Sequence, residues 1–379
     1  MDFERTEEER AIYDMAHAFG QERIAPFAAE WEAAGTIPRE LLADIGALGL
    51  GGIYVSEEHG GSGLKRLDAA LVFEALSMAC PAVAAFVSIH NMCAWMIDRY
   101  GSQEIKDRLL PDMCTMKTFA SYCLTEPGSG SDAAALRTRA TRTNDSYVLN
   151  GAKAFISGGN YSDLYVVMCR TGADGPKGIS TVVVPSPNPG LSFGAFEKKM
   201  GWKAQPTTQV QFDDCAVPME NLVGEEGQGF KYAMAGLDGG RLNIAACALG
   251  GAQSALDKAV AYMKERKAFG SKLADFQALQ FKVADMETEL QAARIFLHQA
   301  AWKLDNKTPD ATKHCAMAKR FVTDVAFNVA NSALQLHGGY GYLADYGIEK
   351  IVRDLRVHQI LEGTNEIMRM IVARQMFQD

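Results

Sequence analysis

The sequence predicts an α+β protein in which a middle β domain separates two helical domains. Apolar residues recur at helical spacing up to residue 116, short β-branched and aromatic runs follow, and helical spacing returns after residue 222. With 379 residues, the chain is too long for one ordinary hydrophobic core. We therefore predict an N-terminal helical domain over residues 1–116, a middle antiparallel β domain over 117–222 and a C-terminal four-helix bundle over 223–379.

The N-terminal domain carries two signals for helix starts. Thr6 and Glu9 have the spacing of a capping box, and helically spaced apolar residues follow them. A second helix begins close to Pro38, because proline is favoured in the first turn of a helix. Residues 69–101 are apolar on nearly all sides, which predicts a buried pair of helices.

The middle and C-terminal domains differ in their apolar spacing. Runs such as SYVLNGAKAFIS and ISTVVVP have strand character, and the dipeptides Asn144-Asp145 and Asn150-Gly151 are typical of hairpin turns. The longest stripe of the C-terminal domain consists of Leu279, Val283, Met286, Leu290, Ala293 and Leu297. Long helices with few loops between them favour a bundle that pairs with copies of itself.

Composition and motif content disfavour several classes of function. The net charge is −8 and no run of lysine or arginine exceeds two residues, which disfavours binding to nucleic acid. No stretch approaches the roughly 18 apolar residues that a membrane span needs. The eight cysteines include no C-x-x-C pair, and no H-E-x-x-H motif occurs, so we expect no metal site. The acidic N-terminus has no signal or transit peptide, which predicts a cytoplasmic protein; a processed organellar matrix form is the alternative.

Four short stretches could carry chemistry. YCLTEPGSGSD, residues Tyr122 to Asp132, joins a strand to a Gly/Ser turn that could hold a phosphate or the edge of a flat cofactor, or could be an ordinary surface turn. KAFISGG could place an aromatic ring and a hydroxyl beside a planar ring, although a core aromatic is more common. ERKAFG offers Arg266 to a phosphate or to the end of its own helix. LQLHGGYGY is a helix stop or a backbone surface for a pyrophosphate.

QILEGTNEIMR, residues Gln359 to Arg369, places the carboxylate of Glu362 between an apolar step and the flexible Gly363. Glu362 could be a solvated surface group. It could also be an acid or base at the mouth of a dry pocket, where desolvation raises its pKa.

Together these stretches resemble the acyl-CoA dehydrogenases, flavoproteins that desaturate an acyl-CoA thioester. YCLTEPGSGSD is similar to the first signature of the family, and QLHGGYGY with RDLRVHQILEGTNEIMR is similar to its second. The resemblance extends from about Glu7 to Met376. The shorter stretches SIHNMCAWMI, GPKGIS, GWKAQPT and EGQGF resemble the isobutyryl-CoA dehydrogenase branch most.

The resemblance implies a role for each matching position. The flavin of FAD would be lined by Tyr122, Leu124, Thr125, Gly130, Ser131, Phe155, Ile156 and Ser157, where Phe155 replaces the tryptophan of other members. The FAD of a neighbouring subunit would be contacted by Arg266, Phe269, Gln277, Gln335 and Gly339, and the adenosine side by Thr364 and Glu366. The acyl-CoA substrate would be bound by Ser131, Asp238, Arg241 and Gly363.

Glu362 occupies the position of the base that takes the α-proton of the thioester in this family. Some members instead carry the base directly before the arginine that is Arg241 here, but this chain has Gly240 there. The resemblance thus implies dehydrogenation of a short branched acyl-CoA, isobutyryl-CoA to methacrylyl-CoA, with butyryl-CoA and 2-methylbutyryl-CoA as alternative substrates. It also implies a homotetramer and an electron-transferring flavoprotein as electron acceptor. An acyl-CoA oxidase, a nitroalkane oxidase and a DNA-binding flavoprotein are the less favoured alternatives.

Overall fold

Helices form both ends of the chain and strands form its middle. The structure, a computed structural model, describes residues 4–377. The helices are α1 (Glu7–Phe19), α2 (Ala28–Ala34), α3 (Arg39–Ala47), α4 (Arg66–Ala79), α5 (Pro81–Tyr100), α6 (Gln103–Cys114), α7 (Gly229–Glu265), α8 (Gln277–Asp305), α9 (Ala311–Leu336), α10 (Ile348–Arg356) and α11 (Asn365–Met376). The strands are β1 (Ala120–Cys123), β2 (Arg139–Arg142), β3 (Ser146–Ser157), β4 (Leu164–Arg170), β5 (Ile179–Pro185), β6 (Leu191–Phe193), β7 (Thr207–Pro218), β8 (Lys267–Ala268) and β9 (Ser271–Lys272). This order confirms the predicted α+β class, whereas the three domain ranges stay a prediction.

The N-terminal helices begin where the sequence signals predict. The Thr6 hydroxyl accepts a hydrogen bond from the backbone N–H of Glu9 at 3.1 Å, and the Glu9 carboxylate accepts one from the Thr6 N–H at 2.8 Å, which confirms the capping box. Pro38 lies directly before α3. Helices α4 and α5 are buried on almost every side, as their apolar sequence predicts. No helix within residues 4–377 has the length and hydropathy required to cross a membrane.

The middle domain is one seven-stranded sheet, and it is not purely antiparallel. Strands β2–β3, β3–β7, β6–β7 and β4–β5 pair antiparallel, but β1 and β2 both pair parallel with β4. Strand periodicity reports burial and not the direction of distant partners, so the sequence did not predict these two pairings. The Asn144-Asp145 turn between β2 and β3 is confirmed.

Asn150-Gly151 does not form the turn that its dipeptide predicts. It lies inside β3, where the register with β7 shifts between Leu149 and Gly151. Gly151 has φ +144°, and a Cβ there would lie 2.7 Å from the Cα of Thr138. The glycine therefore serves a strand irregularity and a close backbone approach.

Helix α7 is the centre of the helical packing. Helices α8 and α9 pack on it from the C-terminal half, and α4 and α5 pack on it from the N-terminal half. Two short helices, α10 and α11, pack on α9. Residues of the two helical regions thus share one buried hydrophobic cluster.

A buried ion pair joins β3 to the segment that follows β1. The Lys153 ammonium lies 2.8 Å from Oε1 of Glu126 and donates to the carbonyl of Leu124 at 3.0 Å. The Glu126 carboxylate also accepts the backbone N–H groups of Arg137 and Thr138. These bonds hold the Gly/Ser turn against the sheet.

Lys153→Met should therefore destabilise the protein strongly. The methionine fills the space but leaves the Glu126 carboxylate buried without its cation, which costs about 3–5 kcal/mol. The urea midpoint of unfolding should fall clearly below that of Lys198→Met, a control at an exposed lysine. Equal midpoints for the two variants would show that the ion pair contributes nothing.

Candidate active site

Glu362 lies in a strained turn directly before α11. Glu362 has φ +53° and Gly363 has φ +89°. A non-glycine residue in this region costs on the order of 1–3 kcal/mol, so other contacts have to hold it there. The Lys319 ammonium donates to the Gly363 carbonyl at 2.8 Å, and the Thr364 hydroxyl caps α11 by accepting the N–H of Ile367 at 3.4 Å.

The carboxyl group of Glu362 points into the protein. Its Oε2 atom is buried and has no hydrogen-bond partner among residues 4–377. Burial raises the pKa of Glu362 to about 7, against the opposing effect of the Arg241 and Lys319 cations. The interpretation of Glu362 as a solvated surface group is therefore wrong.

Gly240 makes the space that the carboxyl occupies. A Cβ at position 240 would lie 2.4 Å from Glu362 Oε2 and 3.0 Å from the sulfur of Met92. Any side chain at this position of α7 would displace the carboxyl group. A side chain at position 240 of α7 and the side chain of Glu362 in the turn before α11 would thus occupy the same space.

Asp238 and Arg241 form an ion pair beside the turn. Their Oδ1 and Nη1 atoms are 2.7 Å apart, and the Thr312 hydroxyl donates to the other oxygen of Asp238 at 2.6 Å. Burial raises the pKa of Asp238, while Arg241 opposes that shift. Arg241 is itself buried and reaches the Glu362 carbonyl at 3.5 Å.

The two segments predicted to line a flavin lie next to each other. The N–H of Ala154 donates to the carbonyl of Thr125 at 2.8 Å, which places the segment 122–125 beside the segment 154–157. Ile156 is buried, but Phe155 is 69% exposed and has φ +58°. The register of β3 with β7 shifts at this point, so the bulge turns the aromatic ring outward. The core-aromatic interpretation of Phe155 is wrong.

The Gly/Ser turn leaves room for a molecule outside the chain. A Cβ at Gly128 or Gly130 would meet no atom within 4 Å, and neither residue is among those with positive φ. Packing and backbone strain therefore do not require glycine here. The hydroxyls of Thr125 and Ser131 have no partner within residues 4–377, and the Tyr122 hydroxyl is buried without one.

A second group of predicted residues lines a separate cavity. Arg266, Gln335 and Gly339 border a volume of about 620 Å³, in which the Arg266 guanidinium lies 5.2 Å from the ring centre of Tyr340. The lining includes none of the residues near Tyr122 or Phe155. Phe269, in the turn after α7, is 97% exposed. Helix α9 ends at Leu336, so the stretch LQLHGGYGY is a helix stop as well as part of the cavity wall.

Two further predicted cofactor residues lie exposed at the starts of helices. Gln277 is the exposed first residue of α8, and Glu366 is exposed on the first turn of α11. Sequence reasoning missed Lys319 and Met92. The signal for Lys319 was a single cation on the apolar stripe of α9, whereas nothing local marked Met92. No group of three or more His, Cys, Asp or Glu side chains suited to a metal occurs in the described part of the chain.

Comparison with known proteins assigns the family. Models of the acyl-CoA dehydrogenase N-terminal, middle and C-terminal domains match residues 6–117, 121–215 and 227–377. The chain therefore belongs to the acyl-CoA dehydrogenase family and is an FAD-dependent oxidoreductase.

Individual relatives are similar over nearly the whole chain. The mitochondrial isobutyryl-CoA dehydrogenase of Bos taurus is 54% identical over 374 residues, which cover 99% of this chain and 90% of the relative. Butyryl-CoA dehydrogenase from Megasphaera elsdenii has a TM-score of 0.96 at 38% identity, with 100% of both chains covered. A chain from a structural study of the electron-transferring flavoprotein of Acidaminococcus fermentans has a TM-score of 0.97 at 42% identity, also with 100% of both covered.

The turn and the two adjacent segments fit FAD. Open space over Gly128 and Gly130 would admit a close approach, the free hydroxyls would supply hydrogen bonds, and the outward ring of Phe155 would supply a stacking face. We propose that residues of these three segments contact the cofactor.

Substitution of Gly130 should separate cofactor binding from folding. Gly130→Ala and Gly130→Val add atoms to space that the chain leaves open, so the unfolding midpoint of the flavin-free protein should change little. Bound flavin, measured from absorbance per mole of protein, should fall, and more for valine than for alanine. Gly194→Ala, where the new Cβ would be 3.4 Å from Gln209, is the control. Full flavin content in Gly130→Val would contradict the assignment.

Proposed function

We propose that this protein is an isobutyryl-CoA dehydrogenase that converts isobutyryl-CoA to methacrylyl-CoA. Glu362 takes the α-proton, and the β-hydrogen leaves as hydride. FAD, when bound, supplies the acceptor for that hydride at N5. The observation that supports the proposal most is the carboxyl group of Glu362, whose Oε2 atom is buried without a hydrogen-bond partner in the described residues and whose pKa is raised to about 7.

The surroundings of Glu362 suit a base for a weakly acidic C–H bond. A raised pKa near neutrality gives a carboxylate that is still present at pH 7 and is a stronger base than a solvated one. The strained turn and the space over Gly240 fix the direction of the carboxyl group. By resemblance to the family, the backbone N–H of Glu362 would help to polarise the thioester carbonyl, and Gly363 would let the backbone come close to the thioester. Asp238 and Arg241 are the proposed contacts for the CoA chain.

The choice of isobutyryl-CoA rests on relatedness. The relative from Bos taurus that carries this activity in its name is 54% identical, compared with 38% for the butyryl-CoA dehydrogenase. One methylene changes discrimination in an apolar pocket by only about 1–3 kcal/mol. Butyryl-CoA and 2-methylbutyryl-CoA are therefore the alternatives that an assay has to separate.

We further propose that the protein is a homotetramer in which each FAD is shared. Arg266, Gln335 and Gly339 line a cavity apart from the segments near Tyr122, which is the arrangement expected if they contact the FAD of a neighbour. The outer face of α8 supports association as well. Its residues at 281, 295 and 302 are Phe, Ile and Trp, and each is more than half exposed. Separations of 14 and 7 residues place them on one side of the helix.

The proposed electron acceptor is an electron-transferring flavoprotein. A structural study of such a flavoprotein supplied the similar chain from Acidaminococcus fermentans. An acyl-CoA oxidase, which would pass the electrons to oxygen, is the alternative that the assay below separates. The cytoplasmic location stays a prediction, because the relative from Bos taurus is mitochondrial.

Glu362→Gln should bind FAD and acyl-CoA but lose at least about 100-fold in kcat, because an amide cannot accept the α-proton. Only the deprotonated carboxylate accepts a proton, so wild-type kcat/KM should also decrease as pH falls below about 7. Flavin bleaching under anaerobic conditions measures both. More than a few per cent of wild-type turnover in Glu362→Gln would place the base elsewhere.

A relocated base is the matching gain-of-function control. Glu362→Gly removes the carboxyl group from the space beside Gly240, and Gly240→Glu places a new carboxyl group in the same space from α7. The double variant should regain part of the rate lost in Glu362→Gly alone. Gly240→Glu alone should be inactive, because two carboxyl groups then compete for one space.

Substrate and acceptor can be tested together on C4 thioesters. Isobutyryl-CoA should be oxidised faster than butyryl-CoA with an electron-transferring flavoprotein or a dye, and oxygen alone should support only slow turnover. The assay follows dye reduction and peroxide formation side by side. Peroxide release at the rate of dye reduction would identify an oxidase. Preference for butyryl-CoA would retain the mechanism and change the substrate.

A further inference from the structure

Lys319 is a fully buried cation on the inner face of α9. Its ammonium donates to the Gly363 carbonyl at 2.8 Å and to Oδ1 of Asn365 at 2.9 Å. An ammonium is costly to bury unless its hydrogen bonds are satisfied. Both acceptors belong to the turn and helix start that follow the proposed base, so the lysine ties that turn to α9.

Two backbone carbonyls of the strained turn accept hydrogen bonds from other helices: that of Glu362 from Arg241 at 3.5 Å and that of Gly363 from Lys319 at 2.8 Å, which is the shorter bond. Glu362 and Gly363 both have positive φ, and the orientation of the Gly363 carbonyl follows from these two residues. The Gly363 carbonyl lies on the peptide between Gly363 and Thr364, one residue after Glu362, so a hydrogen bond to it restrains the backbone next to the residue that carries the carboxyl group. The ammonium therefore selects one backbone conformation of the turn.

Asn365 strengthens this connection between the turn and α9. Its amide nitrogen donates to the Thr323 hydroxyl at 3.0 Å and to the Asp324 carboxylate at 2.7 Å. With the bond from Lys319 and a longer one of 3.4 Å to the Arg320 carbonyl, the side chain of Asn365 is held by four residues on two successive turns of α9. The start of α11 is thereby held in position relative to α9.

Lys319 also lies in the electrostatic field of the site. The charged and titratable groups around it come from the turn, α7, α9, α11 and the segment before the turn: Glu362, Arg241, Asp324, Glu366 and His358. Burial lowers the pKa of Lys319 to about 8, and Glu362 is the main opposing influence. In return, Lys319 lowers the pKa of Glu362 against the effect of burial. Lys319 thus acts on Glu362 in two ways: its hydrogen bond holds the turn, and its positive charge lowers the pKa of the carboxyl group.

We propose that Lys319 is a positioning residue, which holds the strained Glu362–Gly363 turn so that the carboxyl group reaches the substrate α-carbon as a carboxylate. The inference rests on the proposed role of Glu362 as the base. Lys319 acts through the turn and does not itself touch the substrate.

Three substitutions separate the hydrogen bonds of Lys319 from its charge. Lys319→Met removes both the hydrogen-bond donors and the charge, Lys319→Gln keeps an NH2 donor group without the charge, and Lys319→Arg keeps both donors and charge. Lys350→Met is the control, because Lys350 is also a largely buried lysine of the C-terminal region and is paired with Asp354 at 2.5 Å. Flavin reduction by isobutyryl-CoA is measured per bound flavin across pH, with KM and the thermal unfolding midpoint of each holoenzyme.

Lys319→Met should lower kcat about 10- to 100-fold with little change in KM, because a misplaced base fails mainly in the chemical step. Loss of the cation raises the pKa of Glu362, so the acidic limb of kcat/KM should move to higher pH in Lys319→Met and Lys319→Gln. Lys319→Arg should return the limb to its wild-type position. Lys350→Met should lower the unfolding midpoint without moving the limb.

Specific results would overturn the inference. If kcat and the acidic limb of the pH profile of kcat/KM are unchanged in Lys319→Gln, the inference is wrong, even if Lys319→Met fails to fold. An equal shift of the limb in Lys350→Met would assign the effect to general loss of stability. Failure of the proposed function is distinguishable, because Glu362→Gln would then stay active whatever the Lys319 variants show.

Discussion

The glycines of α7 set how closely the rest of the protein can approach its central helix. A Cβ at Gly250 would lie 2.0 Å from the backbone oxygen of Glu74 on α4, and one at Gly239 would lie 2.3 Å from the guanidinium of Arg66. At Gly240 the neighbour is the carboxyl group of the proposed base. The absence of a side chain thus brings a helix into contact at one position and leaves room for the carboxyl group of the proposed base at another. The site is part of the core packing.

The charges around the proposed base balance one another without neutralising it. Arg241 is paired with Asp238 at 2.7 Å, and Lys319 is bonded to a carbonyl and an amide oxygen. Neither cation makes a direct ion pair with the Glu362 carboxyl, whose Oε2 has no partner in the described part of the chain. A direct ion pair would have held the carboxylate at low pKa and made it a weak base. The arrangement keeps the carboxyl group both ionisable and basic near neutral pH.

Much of the fold followed from local sequence, and the exceptions have physical reasons. Helix starts such as the Thr6 capping box and the buried pair α4–α5 depend on residues close in the chain. The parallel pairing of β1 with β4 depends on a strand some 40 residues away, about which periodicity carries no information. The dipeptide Asn150-Gly151 is typical of turns but lies inside β3, where glycine permits the close approach of Thr138. For Phe155, hydrophobicity predicted burial, and a strand bulge reversed the direction of the ring. Glu362 was found through its motif, whereas Lys319 becomes meaningful only when the turn it holds is seen.

The separation of the two groups of predicted cofactor residues has a consequence for how defects combine. If one chain holds the flavin near Phe155 while its neighbour contributes Arg266 and Gln335, each cofactor site is a hybrid of two copies. A copy damaged in one half still offers an intact half to its partner. Oligomers that mix two different inactive variants would then contain some FAD sites in which neither contributing segment is mutated. The loss of activity caused by a mutation would then depend on which variant the neighbouring subunit carries. Two defective alleles would together yield activity that neither yields alone.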